Sequence, residues 1–349
     1  MKVRILLLFV ALFGFAVIAP QRASAQATSG NHAFNPFAIK FKRLWDVALP
    51  DPVKLIEIAP VAGDNRNRLL MLVGGKDNND YKRKLLVTQW NGFQFSTDST
   101  TEFLGTSVDV LLAGRFRPAA PPAKTTPAVK PAKGSKHQPP PPSEQVVTTE
   151  GIYAWNGQNL NRLLTAPTDL RLALVLDRAP EQLVGGNGDN AVSYELGQDD
   201  IHPSEVELSP EDDGYVRFGV GTQEIPGVPS LELLPGVRYV QSYWNKRDRW
   251  LIGVHKDERA GAQNPAEQVV VYTPTLASRD RSFWAMNRDH LSEFVEEAWR
   301  SDVLPGHILD IRVGDPKNED KVGILVLTSE NDGKQSHLYF YGLAQGIDR

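Results

Sequence analysis

The feature that most restricts the fold of this 349-residue chain is a short unit that recurs along it. Each unit begins with one charged residue between two apolar residues, and a polar turn then leads to a second apolar run. In several places a third run follows and ends in an aromatic residue. The first segments are centred on Glu57, Asp109, Arg171, Glu232 and Asp310. Short alternating segments separated by turn residues indicate β-strands.

The spacing of these segments predicts how the strands are grouped. The five centres are 52, 62, 61 and 78 residues apart. Repeats of roughly 40 to 60 residues with three or four strands are typical of propeller blades, which pack on their neighbours to bury both faces. We predict an all-β fold, a β-propeller of about five and up to seven blades of short antiparallel strands. A pair of β-sandwiches is the alternative, but it does not explain the constant order of the unit.

Two segments interrupt the repeat. Residues 118–143 contain nine of the 25 prolines and four lysines without an acid, which predicts a disordered surface loop between two strands. Residues 287–300 place apolar side chains at helical spacing, which predicts one helical insertion. Its proposed apolar face consists of Leu291, Phe294, Val295, Ala298 and Trp299. The segment from Phe41 to Leu49 is predicted to complete the last blade and so to cover a sheet edge.

The N-terminus predicts export. Lys2 and Arg4 precede an apolar run of about 15 residues, and Ala23-Ser24-Ala25 offers a cleavage site before Gln26. Residues 1–25 are therefore predicted to be a signal peptide, 26–40 an N-terminal extension and 41–349 the propeller domain. We expect a periplasmic or extracellular monomer with no transmembrane segment after cleavage. With no cysteine, such a protein must depend on its packed core rather than on disulfides.

Composition and motifs exclude several function classes. Hydrophobic residues make up 41% and charged residues 23% of the chain, with a net charge of −4, which argues against a disordered, multi-span or nucleic-acid-coating protein. The absence of cysteine removes thiolate metal sites and cysteine nucleophiles. The chain contains no G-x-S-x-G, H-E-x-x-H or P-loop motif. The glycine-rich segment from Gly185 to Asn190 is predicted to be a tight hairpin rather than a phosphate cradle, because a strand pattern follows it.

Several turns resemble the calcium-binding turns of FG-GAP/VCBS-type propeller repeats. Asp64 matches the first ligand of such a turn, although Arg66 and Arg68 stand where further ligands belong. A second turn supplies Asp315, Asn318 and Asp320 as possible oxygen ligands in a shifted register. The resemblance implies a propeller architecture and, at Asp315, Asn318 and Asp320, a degenerate calcium-type site. An arginine beside the cation position would repel calcium, so we expect most of these turns to have lost the ion.

We predict a non-catalytic binding or scaffolding protein whose partner is a protein or a cell-surface glycan, without a cofactor other than calcium. The alternative is a glycan-active enzyme, since acids on the innermost strands could form an acid–base pair. Its candidates are Glu57, Asp109, Glu232 and Asp310, with Arg171 able to pair with one of them. A lectin-like protein is a further alternative, in which aromatic residues stack on sugar rings. Its candidates are Trp45, Trp90, Trp155, Tyr243, Trp244 and Trp250, which packing between blades would equally explain.

Overall fold

The structure is a computed structural model. It describes residues 40–74, 82–104, 110–116, 144–166, 173–176, 182–187, 190–197, 199–205, 217–218, 237–244, 249–256, 266–275, 295–331 and 333–343. These residues form antiparallel β-sheets, and no helix occurs among them. Accordingly, the described ranges contain no helix with the length and apolarity needed to cross a bilayer. The prediction of an all-β fold is confirmed.

The strands form five sheets, numbered I to V along the chain, and the N-terminal strand belongs to the last of them. Sheet I contains β2 (Val53–Ala59), β3 (Arg68–Val73), β4 (Lys82–Trp90) and β5 (Phe95–Leu104). Sheet II contains β6 (Leu111–Gly114), β7 (Gln145–Thr148), β8 (Gly151–Trp155) and β9 (Leu160–Thr165). In sheet III, β10 (Ala173–Leu176), β11 (Gln182–Asn187), β12 (Asn190–Leu196) and β13 (Ile201–Glu205) follow in order, and β14 (Arg217–Phe218) pairs with β10.

Sheet IV contains β15 (Val237–Trp244), β16 (Arg249–Lys256), β17 (Ala266–Pro274) and β18 (Val295–Arg300), with β19 (Leu304–Pro305) also pairing with β17. Sheet V contains β20 (His307–Gly314), β21 (Gly323–Glu330), β22 (Gln335–Leu343) and, at its edge, β1 (Phe41–Leu49). The N-terminal strand therefore pairs with the last strand of the chain, with Phe41 opposite Leu343 and Leu49 opposite Ser336. This confirms that the segment from Phe41 to Leu49 completes the last sheet.

The sheets pack face to face through apolar cores. In β3, Leu70 and Leu72 pack towards sheet II, whereas Leu69 and Met71 on the opposite face pack towards sheet V. Because both faces are covered, β3 is buried along its whole length, and its sequence after Arg68 is a continuous apolar run rather than an alternating one. Further cores join sheet II to sheet III and sheet IV to sheet V.

The first strands of the sheets also lie beside one another. Strand β2 contacts β20 and β6, β6 contacts β10, and β15 contacts both β14 and β20. Charged residues on these strands are thus brought close together even when they are far apart in the sequence.

Local turn chemistry accounts for the hairpins. In the turn between β4 and β5, the Asn91 side chain accepts hydrogen bonds from the Phe93 and Gln94 amides, and Gly92 adopts a φ of 99°. Asn156 and Gly157 build the corresponding turn between β8 and β9 with the same bonds and a φ of 105°. Glycine takes such a φ without a steric penalty, which explains why the Asn-Gly pair marks both hairpins. The predicted hairpin around Gly185 is also present, as β11 and β12.

The predicted helix over residues 287–300 is wrong where the structure describes it. Residues 295–300 form β18, which pairs with β17, and residues 287–294 lie outside the described residues. Trp299 packs edge-on against Phe41 and Tyr341 with ring centroids 5.1 Å apart. The edge of β17 and this aromatic contact outweigh the helical spacing, because tertiary packing routinely overrides a short local pattern. The predicted loop over residues 118–143 also lies outside the described residues.

Candidate functional site

Two of the acids predicted from the repeat meet in the interior. Glu57 on β2 and Asp310 on β20 both form ion pairs with Arg312, which follows Asp310 by two residues on the same strand. Arg312 Nε lies 3.5 Å from Glu57 Oε2, and the three side chains are at most 2% exposed. The Glu57 Oε1 atom also accepts a hydrogen bond of 2.9 Å from the Ile58 amide. We call Glu57, Asp310 and Arg312 the buried ion cluster.

The Asp310 carboxylate is held from both sides. Its Oδ2 accepts a 2.9 Å hydrogen bond from the Ile56 amide of sheet I, and its Oδ1 accepts a 2.8 Å bond from the Ile311 amide. Burial raises the pKa of Asp310 to about 6, and the nearby Glu57 raises it as well, whereas the Arg312 charge and the two amide bonds oppose the rise. The cluster contains two carboxyl groups and one guanidinium, so one negative charge exceeds the positive charge when both acids are ionised.

Arg312 connects three sheets. Besides the two acids, its Nη1 donates to the Ile311 carbonyl at 2.8 Å and its Nη2 to the Leu111 carbonyl of sheet II at 3.4 Å. The sequence interpretation overlooked this residue because it considered only the centre of each repeated segment. A signal was present, since residues two apart on a strand share a face and an arginine at that distance from an acid is placed to pair with it.

The remaining members of the predicted acid set cannot be placed. Asp109, Arg171 and Glu232 lie outside the described residues. Glu57 and Asp310, which the enzyme hypothesis would use as acid and base, point into the core against a guanidinium. In this arrangement the two carboxyl groups neutralise Arg312 and satisfy backbone amides. Buried ion pairs of this kind fix how elements pack against one another more than they add stability.

In the first calcium-type turn, an arginine occupies the place of a cation. The Arg68 guanidinium bonds both carboxylate oxygens of Asp64, at 2.8 and 3.3 Å, and an oxygen of Asp98 at 2.8 Å. It also donates to the Arg66 carbonyl, and its side chain is 7% exposed. Burial disfavours the charged form of Asp64, but the hydrogen bonds from Arg68 and the Arg66 amide outweigh it and lower its pKa. The Arg68 guanidinium therefore occupies the centre of this turn, and the loss of calcium from it stays a prediction.

The second calcium-type turn uses its polar groups for internal bonds. The two Asp315 carboxylate oxygens accept the amides of Lys317 and Lys321 at 3.2 and 3.1 Å. Asn318 exchanges two hydrogen bonds with the backbone of Asn67 in the first turn, at 2.6 and 3.1 Å. Asp320 is exposed and has a φ of 57°.

This donor set fits calcium poorly. Calcium takes about six to eight oxygen ligands, and in the part of the chain that the structure describes no group of three or more acidic or histidine side chains is placed to hold a metal. Asn318 and the Asp315 carbonyl, which accepts from Asn67 Nδ2 at 2.9 Å, instead join the turn between β20 and β21 to the turn between β2 and β3. The calcium assignment of Asp315, Asn318 and Asp320 stays a prediction that the geometry does not favour.

A groove lies on sheet V, between its edge strand β1 and the second turn. Its volume is about 230 Å³. Its lining includes Leu44, Trp45, Lys317, Glu319, Lys321 and Phe340. We call it the tryptophan–lysine groove. The Trp45 ring stacks on Phe340 at a centroid distance of 5.1 Å, which leaves an aromatic floor at the groove.

Lys317 lies over two indole rings. Its Nζ is 4.3 Å from the centroid of Trp45 in sheet V and 3.6 Å from that of Trp90 in sheet I. Both distances are within the range of a cation–π interaction. Burial lowers the pKa of Lys317, which Glu319 partly opposes. Trp45 and Trp90, two of the predicted sugar-stacking residues, therefore share one lysine at the junction of two sheets.

The other aromatic candidates differ in how deeply they are buried. Trp250 is buried and meets Phe41 edge-on at 5.1 Å. Trp155 is partly buried against the core between sheets I and II. Tyr243 and Trp244 lie in β15, but their side chains are outside the described set. Trp250 is thus a packing residue, as the alternative to sugar stacking anticipated.

A scan of the chain against models of known protein families finds no match, and a search of the curated proteins finds none either.

Proposed function

We propose that the chain is an exported, closed five-bladed β-propeller of the FG-GAP/VCBS type that binds a partner without catalysing a reaction. The five sheets would be the blades. Support comes from the contacts of β2 with β6 and β20, of β6 with β10 and of β15 with β14 and β20. Apolar cores also join sheet I to sheets II and V, sheet II to sheet III and sheet IV to sheet V. The pairing of β1 with β22 supports closure, because joining the two ends of the chain in one sheet is a direct way to hold a ring together.

The observation that carries the non-catalytic role is the state of the buried ion cluster. A glycoside hydrolase of the usual kind needs two carboxyl groups that reach the substrate from either side of the bond being cleaved. Glu57 and Asp310 instead contact Arg312 and backbone amides, at exposures of 2% and 0%. These two carboxyl groups hold the first strands of the sheets together, and the partner would bind at the outer surface of the protein.

A lectin-like role is the second candidate, and the tryptophan–lysine groove favours it. The groove combines an aromatic floor with charged side chains at its rim, the combination that protein sites use to bind and orient small polar ligands. A scaffold that binds only proteins does not require such a groove.

The role is tested with the exported chain in two parallel assays. A panel of soluble polysaccharides is incubated with the protein and assayed for new reducing ends, and the same glycans are immobilised to measure retention. We expect retention without product. Turnover that disappears in Glu57→Gln and Asp310→Asn variants with unchanged melting temperatures would establish the enzyme alternative.

A scaffold is distinguished from a lectin in the same experiment. Retention on no glycan, together with a defined protein cross-linked to the chain in the envelope, would favour the scaffold. Retention on neither a glycan nor a protein would contradict the binding role itself.

A further inference from the structure

Lys317, which lines the tryptophan–lysine groove, contacts aromatic rings of both sheet V and sheet I. The residue belongs to the turn after β20, while Trp45 comes from β1 and Trp90 from the end of β4. Contact with two indole rings, at 4.3 and 3.6 Å, restricts the ammonium group to a narrow region above them. The position of this positive charge is therefore set in advance of any ligand, which lowers the entropy lost on binding.

The ammonium group has unused hydrogen-bonding capacity. A lysine carries three N–H donors and no acceptor. Among the carboxylates of the described residues, none lies within ion-pair distance of Lys317 Nζ: Glu319 pairs with Lys321 at 3.1 Å, and Asp315 accepts backbone amides. The two rings compensate the charge through their electron-rich faces but accept no full hydrogen bond. An anionic group of a ligand would satisfy these donors.

The floor beside Lys317 is flat and apolar because two glycines face each other beneath it. Gly323 and Gly342 are paired across β21 and β22. A Cβ atom at Gly342 would lie 2.4 Å from Leu44 Cδ1, and one at Gly323 would lie 2.7 Å from Phe340 Cζ. The absence of both side chains lets Leu44 and Phe340 lie close to the sheet, next to Trp45.

We propose that the tryptophan–lysine groove binds an acidic pyranose, such as a uronic acid unit of a polysaccharide. The sugar carboxylate would accept hydrogen bonds from Lys317 Nζ, and the apolar face of the ring would lie on Leu44 and Trp45. Phe340 is only 2% exposed and supports this floor by stacking on Trp45. The Glu319–Lys321 pair at the rim offers both an acceptor and a donor to the sugar hydroxyl groups. This inference rests on the binding role proposed above.

The geometry favours a sugar over an acidic peptide. A peptide would bind most readily by adding a strand to β1, the exposed edge beside the groove. The register of β1 shifts between Arg43 and Trp45, and such a bulge disrupts the regular row of backbone groups that an added strand needs. A groove of about 230 Å³ suits a compact ring better than an extended chain.

The test is calorimetric titration of the exported chain with oligogalacturonate and with its methyl ester, which has the same ring but no charge. We expect binding of the acid and at least about tenfold weaker binding of the ester, the size of effect that losing one charge-assisted hydrogen bond produces. Lys317→Gln should weaken binding of the acid by a similar factor, and Lys317→Arg should retain most of the affinity. Lys334→Gln is the matched control, since Lys334 is exposed in the turn at the opposite end of β21.

Salt and a peptide probe complete the design. Affinity for the acid should fall as salt approaches about 1 M, where the Debye length is roughly 3 Å. Equal affinity for acid and ester, or unchanged binding by Lys317→Gln at an unchanged melting temperature, would overturn the site. Tight binding of a glutamate-rich peptide that depends on Lys317, without binding of the uronate, would assign the groove to a protein partner and also overturn it.

The inference about the groove can fail while the proposed binding role still holds. If oligogalacturonate binds with the same affinity to the wild type and to Lys317→Gln, the groove is not its site although the chain is a binding protein. If the wild type is retained on no glycan and on no protein, the proposed function fails and this inference fails with it.

Discussion

Replacement of Arg312 by methionine is the sharpest test of how the interior is held together. Methionine has a similar length but removes the only guanidinium of the buried ion cluster, leaving the Glu57 and Asp310 carboxyl groups beside each other at 2% exposure or less. Removing one partner of a buried ion pair costs about 3–5 kcal/mol, because the remaining charge is not solvated. Folded domains are stable by only about 5–15 kcal/mol, so the variant should lose a large part of its stability.

The predicted loss can be converted into a melting temperature. For chains of 150–250 residues, 1 kcal/mol corresponds to roughly 2–4 °C, and larger chains lie at the lower end. We expect Arg312→Met to melt roughly 6–10 °C below the wild type at pH 8. The measurement is thermal unfolding followed by circular dichroism, together with urea unfolding to obtain the free energy.

The loss of stability in Arg312→Met should be smaller at low pH. Without the guanidinium, burial and Glu57 raise the pKa of Asp310 beyond its wild-type value. A protonated carboxyl group needs no counter-charge, so the difference between variant and wild type should be smaller at pH 5 than at pH 8. A destabilisation with no pH dependence would mean that lost packing, not lost charge, is responsible.

Two further variants complete the test. Replacing all three members together, Glu57→Gln, Asp310→Asn and Arg312→Met, should restore most of the stability, because uncharged groups of similar volume often replace buried ion pairs at little cost. Arg43→Met is the matched surface control: the Arg43 side chain is 44% exposed and pairs with Asp302 at 3.5 Å, so its loss should cost no more than about 0.5 kcal/mol. An Arg312→Met protein within about 1 kcal/mol of the wild type at pH 8 would refute the reasoning.

The other predictions concern the same interior, the turns and the N-terminus. The pKa of Asp310 is raised from 3.8 to about 6, so the folded state binds this proton more tightly than the unfolded state. The stability that results is complete below about pH 4 and is lost as the pH rises through about 6. Urea unfolding of Asp310→Asn across this range should lack that pH dependence. Phe41→Ala removes a ring that contacts both Trp250 and Trp299 at 5.1 Å and should cost about 3–5 kcal/mol in urea unfolding, whereas a loss under about 1 kcal/mol would mean that β1 is dispensable. Addition of EDTA or of millimolar calcium should leave the melting temperature unchanged, since the turns satisfy their oxygens with arginine and backbone amides; a rise with calcium would restore the calcium prediction. Mass spectrometry of the exported protein should find Gln26 at its N-terminus, and an intact Met1 would contradict the signal peptide.

Much of the fold could be predicted because its signals are local. Short alternating segments and the apolar runs that follow them predict β2, β3, β4 and the strands of sheet V. The Asn-Gly pairs at Asn91 and Asn156 mark two hairpins through the φ that their glycines adopt. The pairing of β1 with the last sheet was also predicted, since an N-terminal strand without its own partner must cover an edge elsewhere.

The error over residues 295–300 has an equally physical origin. Val295 and Trp299 are four residues apart, a separation that puts two side chains on one face both in a helix and in a regular strand. The pairing of β18 is also irregular, since its register against β17 shifts between Val271 and Tyr272. Only the neighbouring strand and the rings of Phe41 and Tyr341 decide between the two structures, and neither is near in the sequence.

The candidate site was predicted in its parts but not in its arrangement. The sequence identified Glu57 and Asp310 as equivalent, and Trp45 and Trp90 as candidates for ligand contact. The sequence did not show that Arg312 pairs with Glu57 and Asp310, or that Lys317 lies over Trp45 and Trp90. Neither cation was singled out. In both cases the contact joins chain segments more than 200 residues apart, as the bond from the Ile56 amide to Asp310 illustrates with a separation of 254.

By itself, the sequence determined the strand-rich character, the hairpin turns and the N-terminal pairing, because backbone conformation and the alternation of side chains act over a few residues. Tertiary structure decided which charges neutralise each other and which rings form a surface. Those outcomes depend on burial, where an ionised group must find a counter-charge or change its pKa, and burial is created only when distant sheets pack together. Arg312 and Lys317 differ for this reason: one cation is enclosed by two acids, and the other rests on two indoles at an open groove.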